Sequence, residues 1–523
     1  MTFFKPFDSG GSFITPASGN QLRRVAIRGA GILLSAESST YLISLVSVSI
    51  LARLLVPADF GLVAIVTTFS GFLATLTKIG FPEAILQRHD MSHRLATNLF
   101  WITIAITTIL TLGFAATGPL LAKVYHDPRV VRVVAVASLS IFFTGASAIH
   151  GALLDRGMCF AAGAANNLIG KLTQAGLAVL LAFAGWGYWA LVVGVVAQPF
   201  ASLLAAWVLC RWIPGIPRRT EGTGPLISFA VHVSGTANLN YWTRNLDNVL
   251  VGWRFGPGSL GLYKKAYDLF ALPANQLFSM FPVAVSTLSR LAHNPPQYRR
   301  YFLNGLSSVA IIGMGIAGAM TLVGRDVVRI ILGPSWGTAG WIFTFFAPGI
   351  GILLIYKSTS MIHLSLGTPR RLLNWTVLEL VVTGVLFLLA LRWGPKGVAA
   401  AWTASFCILI VPAFQYAGRP VQLGVSDVIR CTWRFIAASL LAGIVSALAL
   451  YPVNALAELP GWAGAMTRLV FDSTVFALAY ASSIILLYGG VTPLRTFAGV
   501  LKDMTSRNRQ LAVLPAVKDP EPI

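Results

Sequence analysis

Between Ile32 and Tyr488 the chain repeats one pattern: a run of about 20 apolar residues, a short polar turn, then another apolar run. Each run is long enough for a helix to cross the ~30 Å hydrocarbon core of a bilayer. In that solvent the backbone must satisfy its own hydrogen bonds, and an isolated apolar run does so as a helix. The pattern therefore predicts an all-α integral membrane protein. Composition agrees, with 11% of residues charged against about 25% in a water-soluble domain. So little charge cannot cover a surface that faces water.

Hydropathy predicts about fourteen spans. Six lie within 32–210, six within 226–417 and two within 431–488; segment 1–31 precedes them, 211–225 links the sixes, and a basic tail fills 489–523. With the amino terminus inside, the cytoplasmic side receives Lys5, Arg88, Arg94, Arg156, Arg218, Arg290, Arg299, Arg370, Arg371, Arg419 and Arg430. The bias is about two to one and places both termini in the cytoplasm of an inner-membrane protein. It also accounts for the net charge of +21, which no basic-aromatic motif connects to nucleic acid. The first 30 residues lack a compact apolar stretch with a cleavage site, so no cleaved signal peptide is read. Cys159, Cys210, Cys407 and Cys431 have no ligand spacing. They read as small packing residues, and neither a metal site nor a cofactor is expected.

The chain also repeats itself. Pro57-Ala58-Asp59-Phe60-Gly61-Leu62 parallels Pro257-Gly258-Ser259-Leu260-Gly261-Leu262, and at the same offset of 200 Phe81-Pro82 parallels Phe281-Pro282 and Tyr41 parallels Tyr241. A fainter echo sets Trp186-Gly187 against Trp393-Gly394. A unit of six spans is even, so both copies enter the membrane from the same side. Such parallel repeats are related by a pseudo-twofold axis along the membrane normal. The expected architecture is two six-helix lobes plus two carboxy-terminal helices.

Charges inside spans cost roughly 2.5–3.5 kcal/mol each even on the lenient insertion scale, so each needs a reason. In the seventh predicted span, Leu226 to Gly252, Asn240, Arg244, Asp247 and Asn248 form a polar stripe. Arg244 and Asp247, three apart, can pair, and the stripe either lines a wet cavity or fixes packing. In the eighth, Leu260 to Ser289, Lys264 can pair with Asp268, while Lys265 has no obvious partner and either faces a cavity or snorkels to the interface. The first span, Ile32 to Leu55, carries Glu37 and Tyr41, and Lys171 and Lys357 lie within the fifth (Ala161 to Ala184) and the tenth (Thr338 to Leu364). Glu37, Asp247 and Asp268 are the acidic candidates for coupling to H⁺ or Na⁺.

The residues around this stripe carry a resemblance. Arg244-Asn245-Leu246-Asp247-Asn248-Val249-Leu250-Val251-Gly252, Phe255-Gly256, Leu260-Gly261-Leu262-Tyr263, Ala266-Tyr267 and Pro273 resemble the seventh and eighth helices of the polysaccharide transporter family. That family belongs to the multidrug/oligosaccharidyl-lipid/polysaccharide (MOP) exporter superfamily. Ile50-Leu51-Ala52-Arg53-Leu54-Leu55-Val56-Pro57 and Gly151-Ala152-Leu153-Leu154-Asp155-Arg156 are similar to its first helix and its fourth-to-fifth junction. The resemblance implies two lobes that open alternately to either side. It also implies a cargo of undecaprenyl-pyrophosphate-linked oligosaccharide, moved for exopolysaccharide, capsule or O-antigen (lipopolysaccharide) assembly. A polysaccharide polymerase and a chain-length regulator are the partners implied, beside membrane lipid.

The physical need fits. A sugar hydroxyl left unpaired in hydrocarbon costs roughly 2–7 kcal/mol and an unpaired phosphate charge far more, so a flippase must offer a polar groove. Arg and Lys suit pyrophosphate. A membrane-embedded polymerase or ligase is the rival from another class, yet the outer segments Lys123 to Asp127, Arg325 to Trp336 and Pro452 to Gly464 offer no acid–base constellation. No GxxxxGK[ST] loop is present, so ATP hydrolysis is not expected of this chain. A multidrug exporter of the same superfamily shares the expected fold and differs in wanting an acidic cavity.

Overall fold

The structure is a computed structural model that describes residues 4–14, 20–77, 80–87, 91–218, 223–278, 281–450, 461–492 and 495. Among these the regular structure is helical, apart from three isolated bridges that involve the amino-terminal segment. The tail beyond 495 and residues 451–460 lie outside the described residues.

The helices are α1 (Asn20–Leu54), α2 (Pro57–Thr77), α3 (Phe81–Gln87), α4 (His93–Ala116), α5 (Gly118–Tyr125), α6 (Arg129–Ala137), α7 (Leu139–Arg156), α8 (Phe160–Phe183) and α9 (Tyr188–Leu209). They continue as α10 (Thr223–Phe278), α11 (Phe281–Arg290), α12 (Pro295–Leu332), α13 (Gly337–Phe346), α14 (Gly349–Ser365), α15 (Pro369–Ala390), α16 (Gly394–Gly418), α17 (Val425–Leu450) and α18 (Gly461–Tyr488). Among the described residues, nine stretches are long and apolar enough to cross a membrane, or ten if the bent pair Pro334–Phe346 and Gly349–Ser365 is one span. The chain is a multi-pass membrane protein.

The difference from fourteen has a physical origin. One apolar block, Pro369–Val421, contains both α15 and α16. Helices α8 and α10 are not among the nine, and they are the ones that carry Lys171, Arg244, Asp247, Lys264, Lys265 and Asp268. α10 is two helices joined at Gly256, whose φ of 78° departs from helical geometry just before Pro257. Proline at the first position of the second half needs no N–H partner there.

The chain forms two compact units. The first takes Met1–Met280, Gly324–Gly349 and Gly367–Leu409; the second takes Phe281–Val323, Ile350–Leu366 and Ile410–Ile523. In the first, buried Phe81, Ile85, Leu95, Leu99, Phe100, Ile149, Leu153 and Leu209 form a core cluster. In the second, Tyr298, Phe302, Leu306, Ile355, Ile362, Phe414, Phe435 and Ile484 do so. Cys210 is buried as a packing residue should be, whereas Cys407 is exposed on the apolar outside of α16, where a small apolar side chain also sits well.

Residues 4–14 of the amino-terminal segment are held by main-chain bonds to the rest of the first unit. Phe4 donates its N–H to Leu209 O (3.0 Å) and accepts from Arg211 N–H (2.9 Å), while Phe13 N–H donates to Met91 O (3.2 Å) and His93 N–H to Gly11 O (2.8 Å). Buried Phe7 meets the rings of Phe13, His93 and Trp212. Part of the linker is tied to α4 as well: Trp101 Nε1 donates to Gly215 O (2.8 Å) and Arg218 N–H to Asn98 Oδ1 (3.0 Å). Residues 219–222 of that linker lie outside the described residues.

The two strongest repeat motifs meet in space, within the first unit. A Cβ built on Gly61 would overlap the Pro257 carbonyl oxygen and lie 2.9 Å from Gly261 N; one built on Gly261 would overlap the Pro57 carbonyl oxygen and lie 3.0 Å from Gly61 N. The contact is reciprocal at the offset of 200. Two helices approach this closely where small residues replace side chains.

Candidate functional site

Within the first unit a cavity of about 550 Å³ opens among α1, α8, α10 and the end of α12. Its size lies within the ~300–1,000 Å³ usual for ligand sites. Polar lining comes from Thr40, Tyr41 and Ser44 of α1 and Asn245, Tyr267 and Asn275 of α10. Leu45, Val48, Leu269, Leu272, Ile331 and Leu332 supply the apolar walls. Thr40 and Ser44 lie four apart and so on one face of α1, and each hydroxyl bonds back to the carbonyl four residues earlier. That satisfies the hydroxyl in an apolar span.

The charged lining is lopsided. Lys171, Arg244, Lys264 and Lys265 face the cavity with one carboxylate, Asp268, a surplus of three positive charges. Lys264 Nζ bonds Asp268 Oδ1 at 2.8 Å and Lys265 Nζ bonds Asp268 Oδ2 at 3.3 Å. The first pair is the one the spacing predicts. The second gives Lys265 a partner that the spacing left open: its side chain is 13% exposed, shares the carboxylate and lies 4.9 Å from the Phe60 ring centroid. Lys171 Nζ donates to Gln174 Oε1 at 3.1 Å. Neither Lys171 nor Arg244 forms a salt bridge among the described residues. The expected pairing of Arg244 with Asp247 is therefore corrected.

Asp247 is spoken for elsewhere. It is fully buried, and its Oδ2 accepts from Tyr263 Oη (2.7 Å) and Trp402 Nε1 (2.9 Å), while Oδ1 accepts from Asn248 N–H (2.9 Å). The carboxylate thus ties the two halves of α10 to each other and to α16. Residues three apart on a helix differ by about 60° in direction, enough for Arg244 to face the cavity while Asp247 faces protein.

The other sequence candidates separate in the same way. Asn248 is buried, with its amide donating to Asn245 Oδ1 at 3.3 Å. Asn240 and Glu37 are exposed and do not line the cavity; each sits one turn before a residue that does, Arg244 and Tyr41. Lys357 belongs to the second unit, where its ammonium lies 5.3 Å from the Tyr356 ring centroid. The cavity thus gathers Tyr41, Lys171, Arg244, Lys264, Lys265 and Asp268, and leaves Glu37, Asn240, Asp247, Asn248 and Lys357 outside it. Thr40, Asn245 and Tyr267 join them; in the sequence Thr40 is four residues from Ser44 and Tyr267 three from Lys264, one helical turn each, while Asn245 is the neighbour of Arg244.

The duplication leaves the charge of the second half of α10 without a counterpart in α2. Where the second copy has Lys264, Lys265 and Asp268, the first has Ala64, Ile65 and Thr68. A symmetric scaffold therefore carries an asymmetric cationic site. The guanidinium fork of Arg244 and the point charges of the lysines are chemistry that suits anions. Among the described residues no cluster of three His, Cys, Asp or Glu side chains could hold a metal ion.

A multi-pass helical membrane protein with an internal cationic cavity has the make-up of a membrane transport protein. The chain belongs to the family described as "Polysaccharide biosynthesis protein", whose model matches residues 50–339. It is 22% identical over 361 residues to the succinoglycan biosynthesis transport protein ExoT of Rhizobium meliloti, a match covering 69% of this chain and 73% of that one. It is 23% identical over 307 residues to the lipopolysaccharide biosynthesis protein WzxC of Escherichia coli, covering 57% and 61%. Among solved structures, the lipid II flippase MurJ in an inward closed conformation superposes with a TM-score of 0.70 at 15% identity, over 87% of this chain and 99% of that one. At that identity the likeness is one of fold.

Proposed function

We propose that this chain is a flippase that carries a polyprenyl-pyrophosphate-linked oligosaccharide across the bacterial inner membrane by alternating access, for assembly of an exported polysaccharide. The observation that carries the reading is the cavity in which Lys171, Arg244, Lys264 and Lys265 outnumber Asp268. A pyrophosphate head group matches that surplus, and the hydroxyl and amide lining of Tyr41, Ser44, Asn245 and Asn275 suits sugar hydroxyls. The names of the relatives, in succinoglycan and lipopolysaccharide biosynthesis, support the same class of cargo. The two lobes read in the sequence, 32–210 and 226–417, with fourteen spans and both termini inside, remain part of this proposal.

Drive fits the charge. A head group of charge about −2 moving toward a positive exterior gains ~2.3 kcal/mol per charge per 100 mV. A coupling H⁺ or Na⁺ would act at Asp268, the acidic residue lining the cavity. Polymerase and chain-length regulator would receive the product. An exporter of cationic drugs is disfavoured because the same surplus repels its substrate. The test is transport by purified protein in liposomes, comparing a fluorescent lipid-linked glycan with cationic dyes. Glycolipid flipping without dye export supports the proposal; dye export without flipping ends it.

A further inference from the structure

We infer that Gly61 and Gly261 form the clasp that closes the cavity toward the outside, and that their separation is the opening step on that side. The inference deepens the transport reading above and rests on it, including its orientation. With the amino terminus inside, α2 and the second half of α10 both begin at the outer face, with Pro57 and Pro257 at their first turns.

Three observations converge. First, the crossing is a backbone-on-backbone contact: each glycine sits against the carbonyl of the other motif's proline and about 3 Å from the other glycine's N–H by way of a built Cβ. Contacts of this kind, held by close packing and weak Cα–H···O bonds, have no side chains to disentangle when they part. Second, the contact is reciprocal at the repeat offset, so it sits where the two copies face each other. An axis between equal halves is the place where one can rotate against the other without sliding. Third, the cavity begins one turn further on. Lys264 and Lys265 follow Gly261 by three and four residues, about 6 Å along the helix. Lys265 reaches Asp268 at 3.3 Å in the cavity and lies 4.9 Å from the ring of Phe60, the neighbour of Gly61.

The surroundings complete the closure. Phe60 packs on Trp336 at 5.3 Å between centroids, and Trp336 Nε1 donates to Ala52 O at 2.8 Å. Arg53 donates to Ile330 O (2.8 Å) and Ser49 to Ile331 O (2.5 Å), holding the end of α1 against the Ile331–Leu332 wall of the cavity. Lys265 is thus the positioning residue between ligand and clasp: an anion that draws it from Asp268 also draws it from Phe60. The clasp glycines themselves touch no cargo.

The experiment uses the full chain with its four cysteines replaced and one cysteine at Ser44, inside the cavity. Intact spheroplasts are labelled from outside with a membrane-impermeant maleimide. Gly61→Ala and Gly261→Ala place a methyl on the opposing carbonyl and force the motifs apart by more than about 1 Å. Labelling at position 44 then rises about tenfold as the outward-open population grows. Gly258→Ala, whose added methyl meets nothing within 4 Å, is the control and labels as the parent does. Labelling of both glycine variants at the parent rate overturns the clasp.

Should the alanine variants fail to reach the membrane, the glycines stay and cysteines at Ala58 and Gly258 are joined by a short bifunctional thiol reagent. Tethering stops transport and reduction of the tether restores it. A tether without effect on transport, or a pair that cannot be joined, overturns the proposal. Labelling needs no glycan, so the two readings fail separately: clasp behaviour without lipid-linked glycan transport sinks the cargo and keeps the clasp.

Discussion

Removing the hydroxyl of Tyr263 tests how the cavity is held in shape. Asp247, fully buried, accepts three hydrogen bonds at 2.7, 2.9 and 2.9 Å, two of them to one oxygen from Tyr263 and Trp402. A hydrogen bond to a charged group is worth about 1.5–3 kcal/mol, while side-chain bonds between membrane helices average only ~0.6 kcal/mol. Tyr263→Phe keeps the ring that packs on Phe346 at 5.3 Å and loses the bond alone, so a loss of about 0.6–1.7 kcal/mol is expected. Asp247→Ala strands two buried donors at about 1–3 kcal/mol each. In a Tyr263→Phe/Trp402→Phe background those donors are gone and the same Asp247→Ala change costs less by at least ~1 kcal/mol. The assay is equilibrium unfolding in mixed micelles, read by far-ultraviolet circular dichroism. Costs that add to within ~0.5 kcal/mol would refute the network.

Three further outcomes follow from other parts of the structure. Asp268→Asn releases Lys264 and Lys265 from their shared carboxylate, so anion binding tightens and transport slows, measured by ligand titration beside a flipping assay. Phe7→Ala removes a buried ring from contact with Phe13, His93 and Trp212 and costs about 3–5 kcal/mol, read as earlier thermal unfolding with freer proteolysis of the amino-terminal segment. Asp127, in the turn between α5 and α6, is held below its ordinary pKa of 3.8 by its hydrogen bonds to Arg129. Its contribution is full above pH 3.8 and is lost as the pH falls through the lower folded value. Hydrogen exchange of that turn, corrected for intrinsic rates, loses protection in acid, and Asp127→Asn flattens the dependence.

The parts of this fold legible in the sequence are those set by local period or by solvent. Apolar runs specify helices because lipid offers the backbone no partner, and the Lys264–Asp268 pair follows from the helical repeat alone. The echo of Pro57–Gly61 in Pro257–Gly261 was visible as spelling, and its spatial meaning, a mutual backbone contact, was not. Partners far apart in the chain stayed hidden: Asp247 finds Trp402 across 155 residues, so the nearer Arg244 was its obvious mate on spacing. α8 and α10 fall short of the apolarity of the other spans. The side chains that make α8 and α10 useful are the ones that lower their apolarity. The ordered amino-terminal segment rests on main-chain bonds to Leu209, Met91 and Arg211 that no side-chain pattern announces.

The account depends on Arg244 and its neighbouring lysines receiving an anionic carrier head group. Affinity in lipid nanodiscs for a polyprenyl-pyrophosphate glycolipid, set against the same lipid lacking pyrophosphate, measures this directly. The expected result is strong preference for the pyrophosphate form, weakened about 10- to 100-fold by Arg244→Gln, as the loss of a charge-assisted pair implies. Equal affinity for both lipids, unchanged by Arg244→Gln, would contradict it.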